Sequence, residues 1–206
     1  MKNLKDWTGN KNSVFALAGV NRNPETRAFR DLYTTPRDAV EKLLIKENFS
    51  KKIMEPAAGL LHISSVLENH GFEVWSTDIE ARMMGIEKMD FLLYSGSFDG
   101  DIITNPPYSI AELFVRKSIE VVTNGHKVAM LLRINFLEGQ KRRDLFDKFP
   151  PIRIYVFSKR INCTKNGLEI GQLQPCVLPG LSGKKDFKVT RQYIGYERRY
   201  AKWKTN

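Results

Sequence analysis

Cysteine, histidine and long apolar runs are all scarce in this sequence, and each scarcity excludes a class of protein. With 2 cysteines and 3 histidines among 206 residues, the chain cannot build a disulfide framework, a four-cysteine zinc site or a histidine-rich metal centre. No apolar run approaches the roughly 18 residues of a membrane span. The N-terminal stretch MKNLKDWTGNKNS has no apolar signal-peptide core. We therefore expect a reduced, soluble, cytoplasmic protein without a bound metal.

Acidic residues are outnumbered by basic ones. Lys and Arg total 33 against 23 Asp and Glu, a formal net charge of +10. Such an excess favours a polyanionic partner, nucleic acid first, although solubility alone also accounts for many basic proteins. Two basic clusters are candidates for phosphate contacts, one at Lys141, Arg142 and Arg143 and the other at Lys159 and Arg160. A solvated helix surface is the competing explanation.

Short apolar runs alternate with amphipathic segments along most of the chain. The predicted strands are 52–55, 72–77, 101–104, 128–132 and 152–157, and the predicted helices are 37–49, 60–70, 109–122 and 136–149. Thr35 is expected to cap the first helix, with Pro36 at its first position. The alternation predicts a doubly wound, mostly parallel α/β sheet that binds ligands at the carboxyl ends of its strands. We expect an N-terminal arm over 1–30, one domain over 31–167 and a divergent tail over 168–206.

The segment Asn105-Pro106-Pro107-Tyr108 joins a predicted strand to a predicted helix. Consecutive prolines fix the backbone and remove two donors, so we expect the nearby carbonyl groups to point outward unpaired. The Asn105 side-chain oxygen and the Pro106 carbonyl can then accept both hydrogens of an amino group, while Tyr108 stacks on the planar ring that carries it. Holding both hydrogens favours the tetrahedral nitrogen whose lone pair attacks a methyl group. A strand-ending turn with a packed tyrosine is the simpler explanation of so short a motif.

Small and acidic residues follow the first two predicted strands. The turn Glu55-Pro56-Ala57-Ala58-Gly59 lets the backbone approach a ligand, and Asp78, at the end of the second strand, can accept hydrogen bonds from ribose hydroxyls. Further along, Asp90-Phe91 can hydrogen-bond and flank an adenine ring. The segment Thr34-Thr35-Pro36 precedes the first helix, where its groups can close over a cofactor. The spacing alone predicts a cofactor that contains adenosine.

Together these segments resemble the class I, S-adenosylmethionine-dependent N6-adenine methyltransferases, in particular the small enzymes common in phages and prophages. The resemblance covers about residues 6–167 and includes DWTGN, YTTP, EPAAG, STDIE, MDFL, DIITNPPYS, KVAMLLRINFLEGQKRRDLF, PPIRIYVFSKRI and CTKNG. It implies a Rossmann-like fold and transfer of a methyl group from S-adenosylmethionine to N6 of adenine in DNA. By position, it implies catalysis by Asn105 to Tyr108 and cofactor contacts from the segments at Thr34, Glu55, Asp78 and Asp90.

Other substrates and an inactive protein stay open as alternatives. Adenine in RNA and the side-chain amide of a protein glutamine present the same kind of NH2 group, and glutamine methyltransferases share the NPPY motif. Those enzymes usually carry a helical recognition domain before the cofactor turn, and the N-terminal segment is short for one. A degraded prophage remnant is the non-enzymatic alternative.

The first cofactor turn departs from the pattern of the family. The family usually has a second glycine two residues after the first, whereas Gly59 is followed by Leu60 and Leu61. Glycine reaches positive φ and leaves room for a ligand, and leucine does neither easily. We expect Leu61 to weaken the binding of S-adenosylmethionine.

The C-terminal tail departs further. The family usually continues to a last, aromatic strand resembling AYAWFVWEKG, and this chain does not. Synonymous codons exist for residues 173–196 whose shifted frame spells ATMCFAWFVWEKGFQSDPTIHWI. Gly180 and Gly183 supply the bases GG of two tryptophan codons, and the codon of Glu197 allows a stop. We therefore interpret the tail as out of frame and expect the last strand of the sheet to be missing or replaced. A genuine, divergent recognition tail is the alternative.

Overall fold

The computed structural model describes residues 34–138, 140–157, 162–165, 168–172, 174–179 and 190–194. The helices are α1 (Arg37–Lys46), α2 (His62–Asn69), α3 (Ala111–Val121) and α4 (Arg143–Lys148). The strands are β1 (Lys52–Glu55), β2 (Glu73–Asp78), β3 (Glu87–Lys88), β4 (Asp101–Thr104), β5 (Lys127–Leu132), β6 (Arg153–Phe157), β7 (Asn162–Lys165), β8 (Leu168–Gln172), β9 (Gln174–Pro179) and β10 (Thr190–Ile194). The predicted arm and the cluster at Lys159 and Arg160 lie outside the described residues.

Eight strands form one sheet in the order β10-β6-β9-β5-β4-β1-β2-β3, while β7 pairs only with β8. Within the large sheet every pairing is parallel except those of β9, which runs antiparallel to β5 and β6. The predicted mostly parallel α/β class is thereby confirmed. Because parallel strands end at the same side, β1, β2, β4 and β5 deliver their last residues to one edge, called here the carboxyl edge.

Buried side chains cover both faces of this sheet. Val128 to Leu132 of β5 are all buried, as expected for a central strand of a parallel sheet. On one face, Ile103 and Leu131 pack with α1 and α2, and on the other face Ile102 and Met130 pack with α3 and α4. Successive residues of a strand point to opposite faces, so β4 and β5 contribute to both clusters.

Charged groups join the elements at the opposite edge, called here the amino edge. Glu47 follows α1, is 5% exposed, and accepts hydrogen bonds from Lys127 Nζ at 3.1 Å, Arg153 Nη2 at 2.8 Å and the Tyr155 hydroxyl. Burial raises the pKa of Glu47, but the hydrogen bonds from these three partners outweigh burial and leave the pKa below its usual range. Nearby, Asp101 accepts the Lys127 backbone N–H at 2.7 Å. These contacts tie α1 to the starts of β4, β5 and β6.

Several helices begin or end away from their predicted residues. Pro36 and not Thr35 is the residue before α1, and no side chain caps that helix. In the helix predicted over 109–122 the apolar spacing places Ile110, Leu113, Phe114 and Ile119 on one face, but only Phe114 and Ile119 are buried, whereas Ile110 and Leu113 are 37% and 51% exposed. Ile110 lies in the 3₁₀ turn Tyr108–Ile110, whose tighter pitch takes it off the buried face of the α-helix that follows.

The place of the last strand is filled by the tail, so of the two outcomes we expected, a missing or a replaced strand, the structure shows replacement. Residues of the tail form β9, whose register pairs Val128 with Leu178 and Met130 with Cys176. The same strand pairs with Ile154 of β6 through Cys176. Main-chain hydrogen bonds need no particular side chain, so a divergent sequence can occupy this position of the sheet. The edge of β5 is therefore covered by the chain's own tail.

Within the part of the chain that the structure describes, no helix combines the length and the apolar character needed to cross a membrane.

Candidate active site

Asn105 is the first residue after β4. The nitrogen of its side-chain amide is hydrogen-bonded, and the oxygen is not. Its Nδ2 donates to Thr35 Oγ1 at 3.1 Å, across 70 positions of sequence. Its Oδ1 is buried and accepts no hydrogen bond from any described residue. Leaving an acceptor buried and unpaired costs about 1–3 kcal/mol. A ligand that donates to Oδ1 would recover that free energy.

The two prolines behave differently from each other. The Pro107 carbonyl accepts the Ile110 N–H at 3.1 Å and closes the 3₁₀ turn, so our expectation that it points outward unpaired is wrong. That turn supplies a local donor three residues later, which the proline pair itself lacks. Pro106 is buried beside Asn105. Tyr108 begins the 3₁₀ turn, and the Arg133 guanidinium lies over its ring at 4.7 Å from the centroid.

The turn after β1 carries a leucine in a glycine-like conformation. Gly59 has φ 55°, and Leu61, the residue before α2, has φ 62° and ψ 23°. Leu61 is the one non-glycine residue with positive φ among those described. Its backbone N–H donates to the Ala58 carbonyl at 2.8 Å, which closes the turn. The left-handed conformation costs an L-residue roughly 1–2 kcal/mol, so the sequence departure at Leu61 corresponds to backbone strain.

Asp78, at the end of β2, fastens this turn to the neighbouring strand. Its Oδ2 accepts the Gly59 N–H at 2.9 Å and its Oδ1 accepts the Glu80 N–H at 2.9 Å. The Ala58 N–H also donates to the Thr77 carbonyl at 3.0 Å. Each carboxylate oxygen keeps a further lone pair. The predicted ribose acceptor and the predicted glycine turn are thus in direct contact at the carboxyl edge.

Glu55 lies beneath the turn and is 1% exposed. One of its oxygens accepts hydrogen bonds from the Ser64 backbone N–H at 2.8 Å and from the Ser64 hydroxyl, which also contacts Ser76 Oγ at 2.6 Å. Burial raises the pKa of the Glu55 carboxyl to about 8, although the hydrogen bonds from Ser64 act in the opposite direction. The carboxyl is therefore mostly protonated at neutral pH.

Asp90 and Phe91 follow the short strand β3. The Asp90 side chain accepts the Leu92 N–H at 3.0 Å and caps the 3₁₀ turn Phe91–Leu93. Phe91 is 2% exposed and packs against Phe114 with ring centroids 5.4 Å apart. Because the Phe91 ring lies in the core, it is poorly placed to flank an adenine ring, as we had expected it to do. Asp90 is the better candidate of the two for contact with adenine.

A cavity of about 220 Å³ adjoins Tyr108. It is bounded by residues from the turn after β4, the end of β5 and the segment that follows β5. The lining residues are Tyr108, Ala111, Leu132, Arg133, Asn135, Phe136 and Arg142.

The structure gathers most of the residues singled out in the sequence at the carboxyl edge. There Thr35 contacts Asn105, and Asp78 contacts the turn at Gly59. Arg133 was not foreseen, because a lone arginine after a strand carries no spacing signal. Within the described residues no group of three or more His, Cys, Asp or Glu side chains could hold a metal ion.

In the basic cluster Lys141, Arg142 and Arg143, the structure describes the side-chain surroundings of the two arginines. The Arg143 side chain is 84% exposed and faces Asp147 at 3.5 Å. Arg142 instead turns inward and donates to the Phe136 carbonyl at 2.7 Å and the Asn135 carbonyl at 3.2 Å. Sequence adjacency therefore grouped two arginines whose surroundings differ.

Known structures resemble this architecture, although no protein-family model and no curated protein matches the sequence. A Pyrococcus horikoshii protein with a suggested RNA methyltransferase activity has a TM-score of 0.57 and 16% identity, over 84% of this chain and 98% of that one. A Listeria monocytogenes protein, suggested to be a class I S-adenosylmethionine-dependent methyltransferase, has a TM-score of 0.54 and 11% identity, over 87% and 70% of the two chains.

A third similar structure is an S-adenosylmethionine-dependent O-methyltransferase from Thermotoga maritima. It has a TM-score of 0.50 and 11% identity, over 82% of this chain and 71% of that one. Identities this low bear on the backbone arrangement and not on the substrate. Taken with the strand order and the antiparallel β9, they show that the chain adopts the Rossmann-like fold of class I methyltransferases.

Proposed function

We propose that this protein transfers a methyl group from S-adenosylmethionine to the N6 amino group of adenine in DNA. The observation that carries the proposal is the Asn105 amide, held at Nδ2 by Thr35 and left with a buried, unmatched Oδ1 at the end of β4. An acceptor fixed in this orientation suits a donor such as an exocyclic NH2 group. The resemblance of the NPPY segment to the N6-adenine enzymes supports the same substrate.

The residues around the first turn suit the cofactor. When bound, S-adenosylmethionine supplies an electrophilic methyl group on a sulfonium centre. Asp78 would accept hydrogen bonds from the ribose hydroxyls with the lone pairs left over from Gly59 and Glu80. Gly59 would let the backbone approach the methionine part, and Asp90 would hydrogen-bond the adenine of the cofactor. Leu61 limits the space available there.

Asn105 and Pro106 prepare the nucleophile. Asn105 Oδ1 and the Pro106 carbonyl accept the two hydrogens of the target N6, which favours a pyramidal nitrogen with its lone pair directed at the methyl group. Transfer of the methyl group that the cofactor would supply forms a nitrogen–carbon bond at the expense of the sulfonium carbon–sulfur bond, and one proton of the N6 group would pass to water. Tyr108 would stack on the planar ring with the face of its own ring opposite Arg133. In a duplex, the adenine has to leave the base stack to reach these groups.

Replacing the fixed amide tests the proposal directly. We expect Asn105→Ala to lower methyl transfer by at least about 100-fold, the order of magnitude for removal of one aligned hydrogen-bonding group at a reacting centre. The dissociation constant for S-adenosylmethionine should stay unchanged, because Asn105 is placed on the substrate side. The measurement is tritium transfer to unmethylated DNA together with calorimetry of cofactor binding.

Asn48→Ala is the matched control. Asn48 is exposed next to Glu47 at the amino edge, so its loss should leave transfer intact. Transfer by Asn105→Ala at the rate of the parent protein would contradict the proposed role of the NPPY segment. Failure of the parent protein to bind S-adenosylmethionine would instead favour an inactive remnant.

RNA is the second candidate substrate. The Pyrococcus horikoshii protein, whose suggested activity is RNA methylation, shares the fold over 84% of this chain, and the target amino group is identical in both nucleic acids. Parallel assays with DNA, RNA and a glutamine-containing peptide separate the candidates, since only the acceptor differs. Transfer to RNA alone would replace DNA in the proposal and keep the chemistry.

A further inference from the structure

Among the arginines whose side chains the structure describes, the two that line the cavity beside Tyr108 are those that form no ion pair. Arg37, Arg82, Arg116, Arg143 and Arg153 each face a carboxylate. Arg133 and Arg142 face none among the described residues, and no acidic side chain lines the cavity. Two uncompensated positive charges therefore point to an anionic ligand in this cavity.

Both guanidinium groups are already oriented by aromatic rings. Arg133 lies over Tyr108 at 4.7 Å, and Arg142 lies over Phe136 at 4.6 Å. The Phe136 and Asn135 carbonyls accept from Arg142 Nε and Nη2, which leaves its Nη1 hydrogens without an acceptor among the described residues. A planar fork held in place loses little side-chain entropy when it binds a two-oxygen anion.

The cavity and the candidate active site share Tyr108. A ring that stacks on Tyr108 brings the backbone of its own strand to the same neighbourhood, where phosphodiester groups carry the negative charge. The non-bridging oxygens of a phosphodiester match the donor fork of arginine. A phosphate therefore fits the cavity in charge, in donor geometry and in position relative to the target base.

We propose that the cavity between Arg133 and Arg142 binds a backbone phosphate adjoining the adenine that is methylated. This rests on the proposed function for the identity of the strand. Arg133 and Arg142 then fix the register of the strand while Asn105 holds the target amino group. Such a site adds affinity and position without reading base identity.

The test removes the charge of one phosphate in the strand and the charge of one arginine in the protein, separately and together. The probes are thymidine-rich single strands that hold one adenine, with a methylphosphonate replacing the phosphate on its 5′ or its 3′ side. Binding is followed by fluorescence anisotropy with S-adenosylhomocysteine present. For the parent protein, one of the two methylphosphonates should weaken binding. In Arg133→Gln the same probe should lose less affinity relative to the all-phosphate strand than it does with the parent protein, because one of the two partners of that phosphate is already gone.

Salt dependence gives an independent readout. Arg133→Gln should reduce the slope of log affinity against log salt by about 0.7, the value for one phosphate contact on a single strand. Lys46→Gln is the control, since Lys46 is exposed at the end of α1, next to Glu47 at the amino edge, and the same loss of charge should leave the effect of the methylphosphonate unchanged. An RNA version of the probes shows whether the site serves both nucleic acids.

The outcomes separate this proposal from the proposed function. Additive losses from Arg133→Gln and the methylphosphonate, or no loss from either methylphosphonate, overturn the phosphate site even if methyl transfer occurs. Non-additive losses without methyl transfer to any adenine support the phosphate site and contradict the proposed reaction.

Discussion

At the scale of single residues, the sequence identified Asn105 but not what orients it. The position after a strand and before two prolines marks Asn105 as a candidate acceptor. Its hydrogen bond to Thr35 spans 70 residues, and such a contact depends on how α1 packs against the sheet. Thr35 was expected to cap α1 and instead holds the amide. Local patterns thus predict which residues carry polar atoms, whereas tertiary packing decides which atoms they meet.

Strain at Leu61 gives a prediction for cofactor binding. Replacing Leu61 by glycine should tighten the binding of S-adenosylmethionine, because glycine adopts φ 62° without a Cβ clash and leaves more space beside the turn. Calorimetry gives the dissociation constant. Leu60→Gly is the matched control, since Leu60 does not have positive φ and its removal relieves no strain. Equal affinity in the parent protein and Leu61→Gly would show that the leucine does not obstruct the cofactor.

Protonation of Glu55 gives a prediction for stability. Because the folded protein raises the pKa of this carboxyl to about 8 from an ordinary 4.5, the folded state binds the proton more tightly than the unfolded state. The free energy of unfolding should therefore fall as the pH rises from 4.5 to 8, with a contribution of up to about 1.4 kcal/mol per pH unit.

Urea unfolding at pH 5.5 and pH 7.5 measures this effect. Glu55→Gln cannot ionise, so its loss of stability between the two pH values should be smaller than that of the parent protein. An identical loss in both proteins would mean that Glu55 is not protonated in the folded state.

At the scale of elements, the order of strands and helices was predictable and their ends were less so. The limits of β1 and β4 were predicted to the residue, and those of β2, β5 and β6 to within one residue, because buried apolar runs mark a strand clearly. The helix expected over 136–149 is instead the short α4 after two 3₁₀ turns. Apolar spacing does not separate an α-helix from successive tighter turns, since both place residues three or four apart on one side.

The tail offers a test at this scale. We expect a chimera in which residues 173–206 are replaced by ATMCFAWFVWEKGFQSDPTIHWI to have a higher Tm than the parent protein, because β-branched and aromatic residues favour a strand more than Gln174, Pro175 and Pro179 do. Thermal unfolding by circular dichroism measures the change.

A scrambled version of the same replacement peptide is the control for length and composition. The coding DNA is an independent check, since we expect its shifted frame to spell that peptide. A chimera less stable than the parent would favour a genuine, divergent tail that forms β9 in its own right.

At the scale of the whole molecule, the net charge of +10 gives weaker support for nucleic acid than it first suggests. Residues 173–206 hold eight basic and two acidic side chains, so the tail supplies more than half of the excess. The support that remains is local and comes from Arg133 and Arg142 beside Tyr108. Composition counts charges, and only the fold shows which of them lack a partner.

The two edges of the sheet divide the polar groups of the protein. At the amino edge the buried acids Glu47 and Asp101 accept hydrogen bonds. At the carboxyl edge Asn105 Oδ1 accepts none, and Arg133 and Arg142 face no carboxylate among the described residues. A substitution that strengthens the amino edge can thus offset the cost of Leu61 without touching the groups that we propose to meet a substrate. This separation makes the protein evolvable, because its robustness and its specificity can change independently.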